Sequence, residues 1–284
     1  MKEKLSLLIA TSRPISWVNT AYPFAAGYLV SGGQTETRFW VGTLFFLIPY
    51  NLIMYGVNDV YDYESDIRNP RKGGVEGAVT AKRFHSLILW ASAISAAPFL
   101  LYLLLTGSFL ANIVLAIVMF FVLAYSLKGL RFKEVPFLDS ITSSAHFVGP
   151  LFYALALFGF PGVTWPYVLA FFLWGIASQA LGAVQDIIPD REAEIHSIAT
   201  VFGARNTMIL STLAYFVAAG TVMLQGGLAI IVGAAGMLYV LNNAPNLVIT
   251  DKTSAKARSS WKRFLWVNYI VGAVITMTLV AASI

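Results

Sequence analysis

Nine times along this chain, roughly 18 to 23 predominantly apolar residues follow one another, which is the length an α-helix needs to cross the hydrocarbon core of a bilayer. The stretches run approximately over 15–32, 39–58, 86–105, 109–127, 138–159, 165–185, 206–224, 227–247 and 263–283. A segment in hydrocarbon must satisfy its own backbone N–H and C=O groups, and a helix does so within itself. The expected fold is therefore all-α, a polytopic membrane protein of nine transmembrane helices. Composition agrees: 12% charged residues, 58% hydrophobic residues and a mean hydropathy of +0.72 lie far from the roughly 25% charged content of soluble domains. Residues 1–12 are weakly charged and no small-residue cleavage site follows a short apolar core, so no cleavable leader is expected.

The connections alternate in character. Those after the second, fourth, sixth and eighth stretches carry Arg68, Arg71, Lys72, Lys82 and Arg83, then Lys128, Arg131 and Lys133, then Arg191 and Arg205, then Lys252, Lys256, Arg258, Lys262 and Arg263. Lys2, Lys4 and Arg13 precede the first, so of the 19 Lys and Arg residues only Arg38 lies on the opposite side. Retention of positive charge in the cytoplasm places the N-terminus inside and, after an odd number of spans, the C-terminus outside a plasma membrane. Of the 14 acids only Glu36 belongs to the outer side, whose connections near 106–108, 160–164 and 225–227 are too short to build a site. Function is expected at the cytoplasmic helix ends. The net charge of +5 is spread over short loops, which speaks for topology and against nucleic acid as a partner. Zero cysteines exclude disulfides and thiolate metal sites, and His85, His146 and His196 show no ligand spacing, so any metal is oxygen-bound.

Two acidic clusters stand directly behind apolar stretches. The first is Asn58-Asp59-Val60-Tyr61-Asp62-Tyr63-Glu64-Ser65-Asp66, in which Asn58, Asp62 and Asp66 fall on one helix face and Asp59 sits beside Asp62. Stacked carboxylates repel one another where water is scarce, so a divalent cation is their natural partner. Magnesium suits this chemistry: it takes few carboxylates, keeps water and completes its octahedron with substrate phosphate oxygens. The plain alternative is a solvated, acid-rich helix end. A second copy weighs against it: Gln185-Asp186-Ile187-Ile188-Pro189-Asp190-Arg191-Glu192-Ala193-Glu194 suggests one site shared by both clusters. Asp59, Asp62, Asp66, Asp186 and Asp190 are thus the candidate catalytic residues, and Asn58, Asp62, Asp66, Asp186 and Asp190 the candidate magnesium ligands.

Cations lie close to both. Arg71, Lys72, Lys128, Arg131 and Arg191, with Asn58, are candidates to hold the oxygens of a diphosphate, although ordinary loop charge accounts for any one of them alone. Gly73, Gly74 and Gly77 would let their loop close over an anion, or simply turn. Trp17, Tyr22, Tyr50, Tyr55, Trp90, Tyr125 and Trp174 are candidates to line an apolar chamber and face a carbocation, where packing or interface anchoring is the alternative. Asn19 and Gln179 are in-span amides that need a partner. Phe45-Phe46-Leu47 and Phe171-Phe172-Leu173 precede the two clusters at similar distances. The chain reads as one domain, 1–284, with a parallel four-helix repeat over about 12–135 and 136–260 and a ninth helix appended.

The motif NDxxDxxxD at 58–66, together with DxxxDREA at 186–193 and SxxxxxGAR at 197–205, resembles the signatures of the UbiA superfamily of intramembrane prenyltransferases. The resemblance covers almost the whole chain, including Arg13-Pro14 and Tyr125-Ser126-Leu127-Lys128. Within that superfamily SRPISWVNTAYPF, FFLIPYNLIMYGVNDVYDYESD, NPRKGGVEGAV, LRFKEVPFLDSITSSAHF and FFLWGIASQALGAVQD are similar to the actinobacterial lycopene elongases of C50 carotenoid pathways. The resemblance implies a nine-helix bundle around a central cavity, magnesium as cofactor, dimethylallyl diphosphate as donor and lycopene as acceptor, in contact with membrane lipid. Glu194 stands where the superfamily often places a third aspartate, so Asp186 and Asp190 are the ligands expected of the second cluster. Two other readings stay open. One is a UbiA-type enzyme with an aromatic or quinone-precursor acceptor, and the other an ion-coupled transporter, which would set its charges nearer the middle of its spans.

Overall fold

Proline and glycine mark several of the helix boundaries in the computed structural model, which describes residues 2–67 and 80–283. The helices are α1 (Lys2–Thr11), α2 (Val18–Val30), α3 (Thr37–Leu47), α4 (Pro49–Tyr61), α5 (Tyr63–Asp66), α6 (His85–Thr106), α7 (Phe109–Ala124), α8 (Leu138–Leu157), α9 (Trp165–Val184), α10 (Ile187–Glu192), α11 (Ile198–Met223), α12 (Ala229–Asn243) and α13 (Arg258–Ser283). No strand occurs among the described residues. Helix therefore covers each of the nine expected stretches. By length and hydropathy, five segments among the described residues suffice to cross a membrane: Thr37–Tyr61, Lys82–Thr106, Trp165–Val184, Ile198–Met223 and Asp251–Ala282.

Two departures from the expected stretches have clear causes. Residues 1–12 form α1, and Arg13 in the left-handed region (φ 51°) followed by Pro14 makes a single 3-10 turn, so the next helix starts at Val18. The stretch 39–58 is two helices, because Pro49 has no N–H to donate and its ring disfavours helix at Ile48. The carbonyls this break exposes are recovered by side chains. Asn51 Nδ2 donates to Phe46 O at 2.9 Å and Leu47 O at 3.0 Å, and Thr20 Oγ1 donates to Phe46 O at 2.7 Å. Asn51 is fully buried, and in hydrocarbon those carbonyls have no water to fall back on.

The chain divides into two compact units, Met1–Phe132 with Ala145–Gly162, and Lys133–Ser144 with Val163–Ile284. The first is centred on aromatic packing. Phe24, Phe46, Tyr50 and Tyr153 are fully buried, with ring centroids 5.2 Å apart for Phe24–Phe46 and 5.1 Å for Phe46–Tyr50. Each such pair adds about 0.5–1.5 kcal/mol beyond its burial. Tyr50 also donates to His146 O at 2.9 Å, so it serves packing. Trp90 is 66% exposed on α6 and lines no interior surface of its unit, contrary to the chamber-lining expectation.

The second unit packs through small residues. Ala177, Ala180 and Ala204 are buried and let α9 and α11 approach closely, as membrane helices do where apolar side chains gain nothing by leaving lipid. Hydroxyls then tie the pair: Ser211 Oγ donates to Ala177 O at 2.7 Å, and Ser178 Oγ lies 2.9 Å from Tyr215 Oη. Asp139, wholly buried near the start of α8, accepts from the Ile198 N–H at 2.9 Å and so caps α11.

Candidate active site

The first cluster forms where α4 runs out. Asp62 N–H still donates to Asn58 O at 2.9 Å and Asp66 N–H to Asp62 O at 2.8 Å, so the helical register continues from α4 through the turn into α5. Asn58, Asp62 and Asp66 therefore share a face, as the spacing requires. Asn58 Nδ2 donates to Asp62 Oδ2 at 2.7 Å and to Ser126 Oγ at 3.0 Å, which fixes the amide orientation. The Arg131 guanidinium lies 3.7 Å from Asp62 Oδ1 and donates to Tyr61 O at 3.4 Å. Arg131 itself adopts φ 44° just after Gly129 at φ 97°, a tight turn behind α7 that directs the loop back to α4. Lys128, on the same loop, is exposed.

Asp59 has a different environment. Its carboxylate is fully buried and accepts from Arg13 at 2.7 Å, and the same guanidinium stacks 4.2 Å over the Tyr55 ring. A buried carboxylate in low dielectric requires such a partner. Arg13 read only as topological charge in the sequence, since its partner lies 46 residues away. Arg71 and Lys72, with Gly73, Gly74 and Gly77, lie outside the described residues.

The second cluster follows α9. Asp190 N–H donates to Asp186 O at 2.8 Å, which sets Asp186 and Asp190 one turn apart on α10, both partly exposed and anchored by the buried Ile187. Glu194 leaves that face: α10 ends at Glu192, and Glu194 adopts φ 56° and is exposed. Arg191 is turned to the protein, donating to Asp251 Oδ2 at 2.7 Å and Thr200 O at 2.9 Å. The other oxygen of Asp251 accepts from Ala204 N–H at 2.7 Å, capping the part of α11 that resumes after Gly203. Gly203 has φ 76° and ψ 165°, conformations that require glycine, which explains the glycine of the GAR motif. Asp251 is the functional neighbour the sequence did not reveal. Gln185, directly before Asp186, is buried, and neither amide atom has a hydrogen-bond partner among the described residues. Leaving such a group unsatisfied costs about 1–3 kcal/mol, which marks this helix end as prepared for a polar ligand.

The donor set suits magnesium. Asp62 and Asp66, 3% and 8% exposed, bring two buried carboxylates a turn apart beside the Asn58 amide, all hard oxygen donors. Among the described residues no three Asp, Glu or His side chains converge into a cage, and magnesium, which binds through one or two carboxylates plus phosphate oxygens, needs none. An apolar groove of about 360 Å³ between α12 and α13, lined by Leu228, Ile231, Val274 and Met277 among others, carries no charged group and lies toward the C-terminal end of α13.

Helices of this apolar length, ending in an amide–carboxylate face in one unit and an aspartate pair in the other, are those of an intramembrane prenyltransferase family: the chain belongs to the UbiA prenyltransferase family, whose pattern matches residues 20–280. It is 53% identical over 283 residues to a lycopene elongase/hydratase of Corynebacterium glutamicum, covering 99% of each chain. It is 49% identical to a C(50) β-cyclic carotenoids biosynthesis protein of a Dietzia species, over 96% of this chain and 64% of that one. Its fold is that of a UbiA homolog from Archaeoglobus fulgidus bound to DMAPP and Mg2+, with a TM-score of 0.65 at 16% identity over 93% of this chain and 98% of the other.

Proposed function

We propose that this enzyme is a magnesium-dependent lycopene elongase, which transfers dimethylallyl groups from dimethylallyl diphosphate to the ends of lycopene, C40 to C45 to C50. The observation that carries the reading is the 53% identity, end to end, with the Corynebacterium lycopene elongase/hydratase. The prenyl donor and metal are supported by the fold shared with the Archaeoglobus homolog, which was bound to both.

Asn58, Asp62, Asp66, Asp186 and Asp190 would hold the ion. When bound, magnesium supplies the positive charge on which pyrophosphate departs. Arg131, Lys128, Arg71 and Lys72 neutralise the non-bridging oxygens as the allylic C–O bond breaks and pyrophosphate takes the electron pair. Arg191 acts through Asp251, holding α10 and hence Asp190 in place, and Arg13 does the same for α4 through Asp59. The apolar chamber keeps water from the five-carbon cation until the terminal alkene of lycopene attacks its C1. The new tertiary cation then loses a proton or takes up water.

In the same reading the chain is a single domain of nine spans with a parallel four-helix repeat, N-terminus in the cytoplasm and C-terminus outside, its site opening to the cytoplasm. The charge distribution over the connections supports this orientation. Membranes carrying the protein, incubated with lycopene, dimethylallyl diphosphate and magnesium, should yield products heavier by one and two prenyl units in mass spectra. Prenylation of an aromatic acceptor in their place would turn the assignment to the other branch of the family.

A further inference from the structure

The last connection gathers five cations within twelve residues. Four cations in other parts of the chain meet carboxylates: Arg13 with Asp59, Lys82 with Glu64, Arg131 with Asp62 and Arg191 with Asp251. Lys252, Lys256, Arg258, Lys262 and Arg263 are all exposed and none has a carboxylate partner among the described residues. The one acid nearby, Asp251, is already engaged by Arg191 and Ala204. Arg263 bonds only neutral groups, Asn242 Oδ1 at 3.1 Å and Ser260 Oγ at 2.7 Å, which hold its stem without neutralising it. Like charges four residues apart, as at Arg258 and Lys262, disfavour a helix by a few tenths of a kcal/mol, so the cluster is maintained against its own repulsion.

The order of chemistry along α13 says what covers it. Trp266 is one turn, about 6 Å, beyond Lys262 on the same face, and its side chain is 73% exposed. Tyr269 follows with its ring 6.2 Å from the indole, and Ile270 beside it is exposed too. The opposite face, with Ser260 and Phe264, is buried. Cation, then indole and phenol, then aliphatic side chain repeats the order phosphate, glycerol ester, acyl chain met on entering a bilayer. A soluble anionic partner would engage the cations and leave Trp266 unused. We propose that the exposed face of residues 252–270 is a binding site for the phosphate headgroups of anionic phospholipids. This goes beyond prenyl transfer and rests only on α13 crossing the membrane.

The test uses the full chain in nanodiscs of phosphatidylcholine alone or of phosphatidylcholine with phosphatidylglycerol, read by native mass spectrometry of lipids retained on the released protein and by thermal unfolding. Phosphatidylglycerol should be enriched over phosphatidylcholine and should raise the melting temperature in a salt-sensitive way. The triple variant Lys256→Gln, Arg258→Gln, Lys262→Gln should retain phosphatidylglycerol about tenfold or more weakly, with phosphatidylcholine unaffected and prenyl transfer in phosphatidylcholine unchanged. Lys2→Gln with Lys4→Gln, which removes charge from α1, should leave the enrichment intact. Equal retention of the two lipids, full enrichment in the triple variant, or protection by inorganic phosphate that matches that of the lipid would each overturn the proposal.

Discussion

At the scale of single residues, neighbouring aspartates have unlike roles. Asp62 lies on the Asn58 face beside Arg131, whereas Asp59 is sealed against Arg13. Asp62→Asn and Asp190→Asn each remove a charge without changing size, so each should abolish turnover while the protein still inserts and folds. Full activity in both, or activity that survives exhaustive chelation, would remove magnesium from the proposal. Arg13 is a question of stability first: Arg13→Met takes the guanidinium from a buried carboxylate and should cost about 3–5 kcal/mol, most of it recovered in Arg13→Met with Asp59→Leu. Thermal unfolding in detergent of the unmodified protein, Arg13→Met, Asp59→Leu and the double variant decides this, and purely additive losses would mean that the pair is not coupled. The Asn58, Asp62, Asp66 face was legible in the sequence because helical periodicity is local. Arg13 and Asp251 were not, because their partners are 46 and 60 residues away and only the fold brings them together.

At the scale of elements, apolar length located the helices and missed their interruptions. Ile48-Pro49 lies inside an apolar stretch and Gly203 just before one, and only Asn51 and Asp251, reading as stray polar residues, betray that a backbone break there needs partners. The two aromatic doubles also part company. Phe45 and Phe46 are fully buried, whereas Phe171 and Phe172 are partly exposed, so similar sequence serves different packing in the two units. The break at Gly203 gives a direct test. Alanine there must adopt φ 76°, and its Cβ would stand 3.1 Å from Asp251 Oδ1, the oxygen that caps Ala204. Gly203→Ala should destabilise by about 1–3 kcal/mol and, by loosening Asp251 from Arg191, make the 186–194 segment more open to protease. Unchanged melting and unchanged cleavage would show that the Gly203, Asp251 and Arg191 chain does not hold α10.

At the scale of the whole molecule, the proposed orientation rests on charge asymmetry, and the proposed course of the reaction on the acceptor. A reporter fused after Ile284 should be active outside the cytoplasm and one inserted near Ser254 inside it; the reverse result at either place would break the nine-span reading and with it the parallel repeat. The acceptor imposes a stricter condition. Lycopene is a rigid polyene about as long as the roughly 30 Å hydrocarbon core is thick, and it has no polar group to grip. Apolar contact, about 25 cal/mol per Å² buried, is its only anchor. Ordinary ligand cavities of about 300–1,000 Å³ do not enclose such a molecule, so the expectation is that one end enters from the bilayer while the rest stays in lipid. The second end can react only after the molecule has left and turned round. Prenylation should therefore be sequential, with a C45 carotenoid released before C50 accumulates. β-Carotene, whose cyclised ends lack the reacting alkene, should be refused. Time courses at limiting enzyme separate the cases: C50 product with no C45 species at any time, or β-carotene prenylated as readily as lycopene, would mean that the acceptor is held in another way.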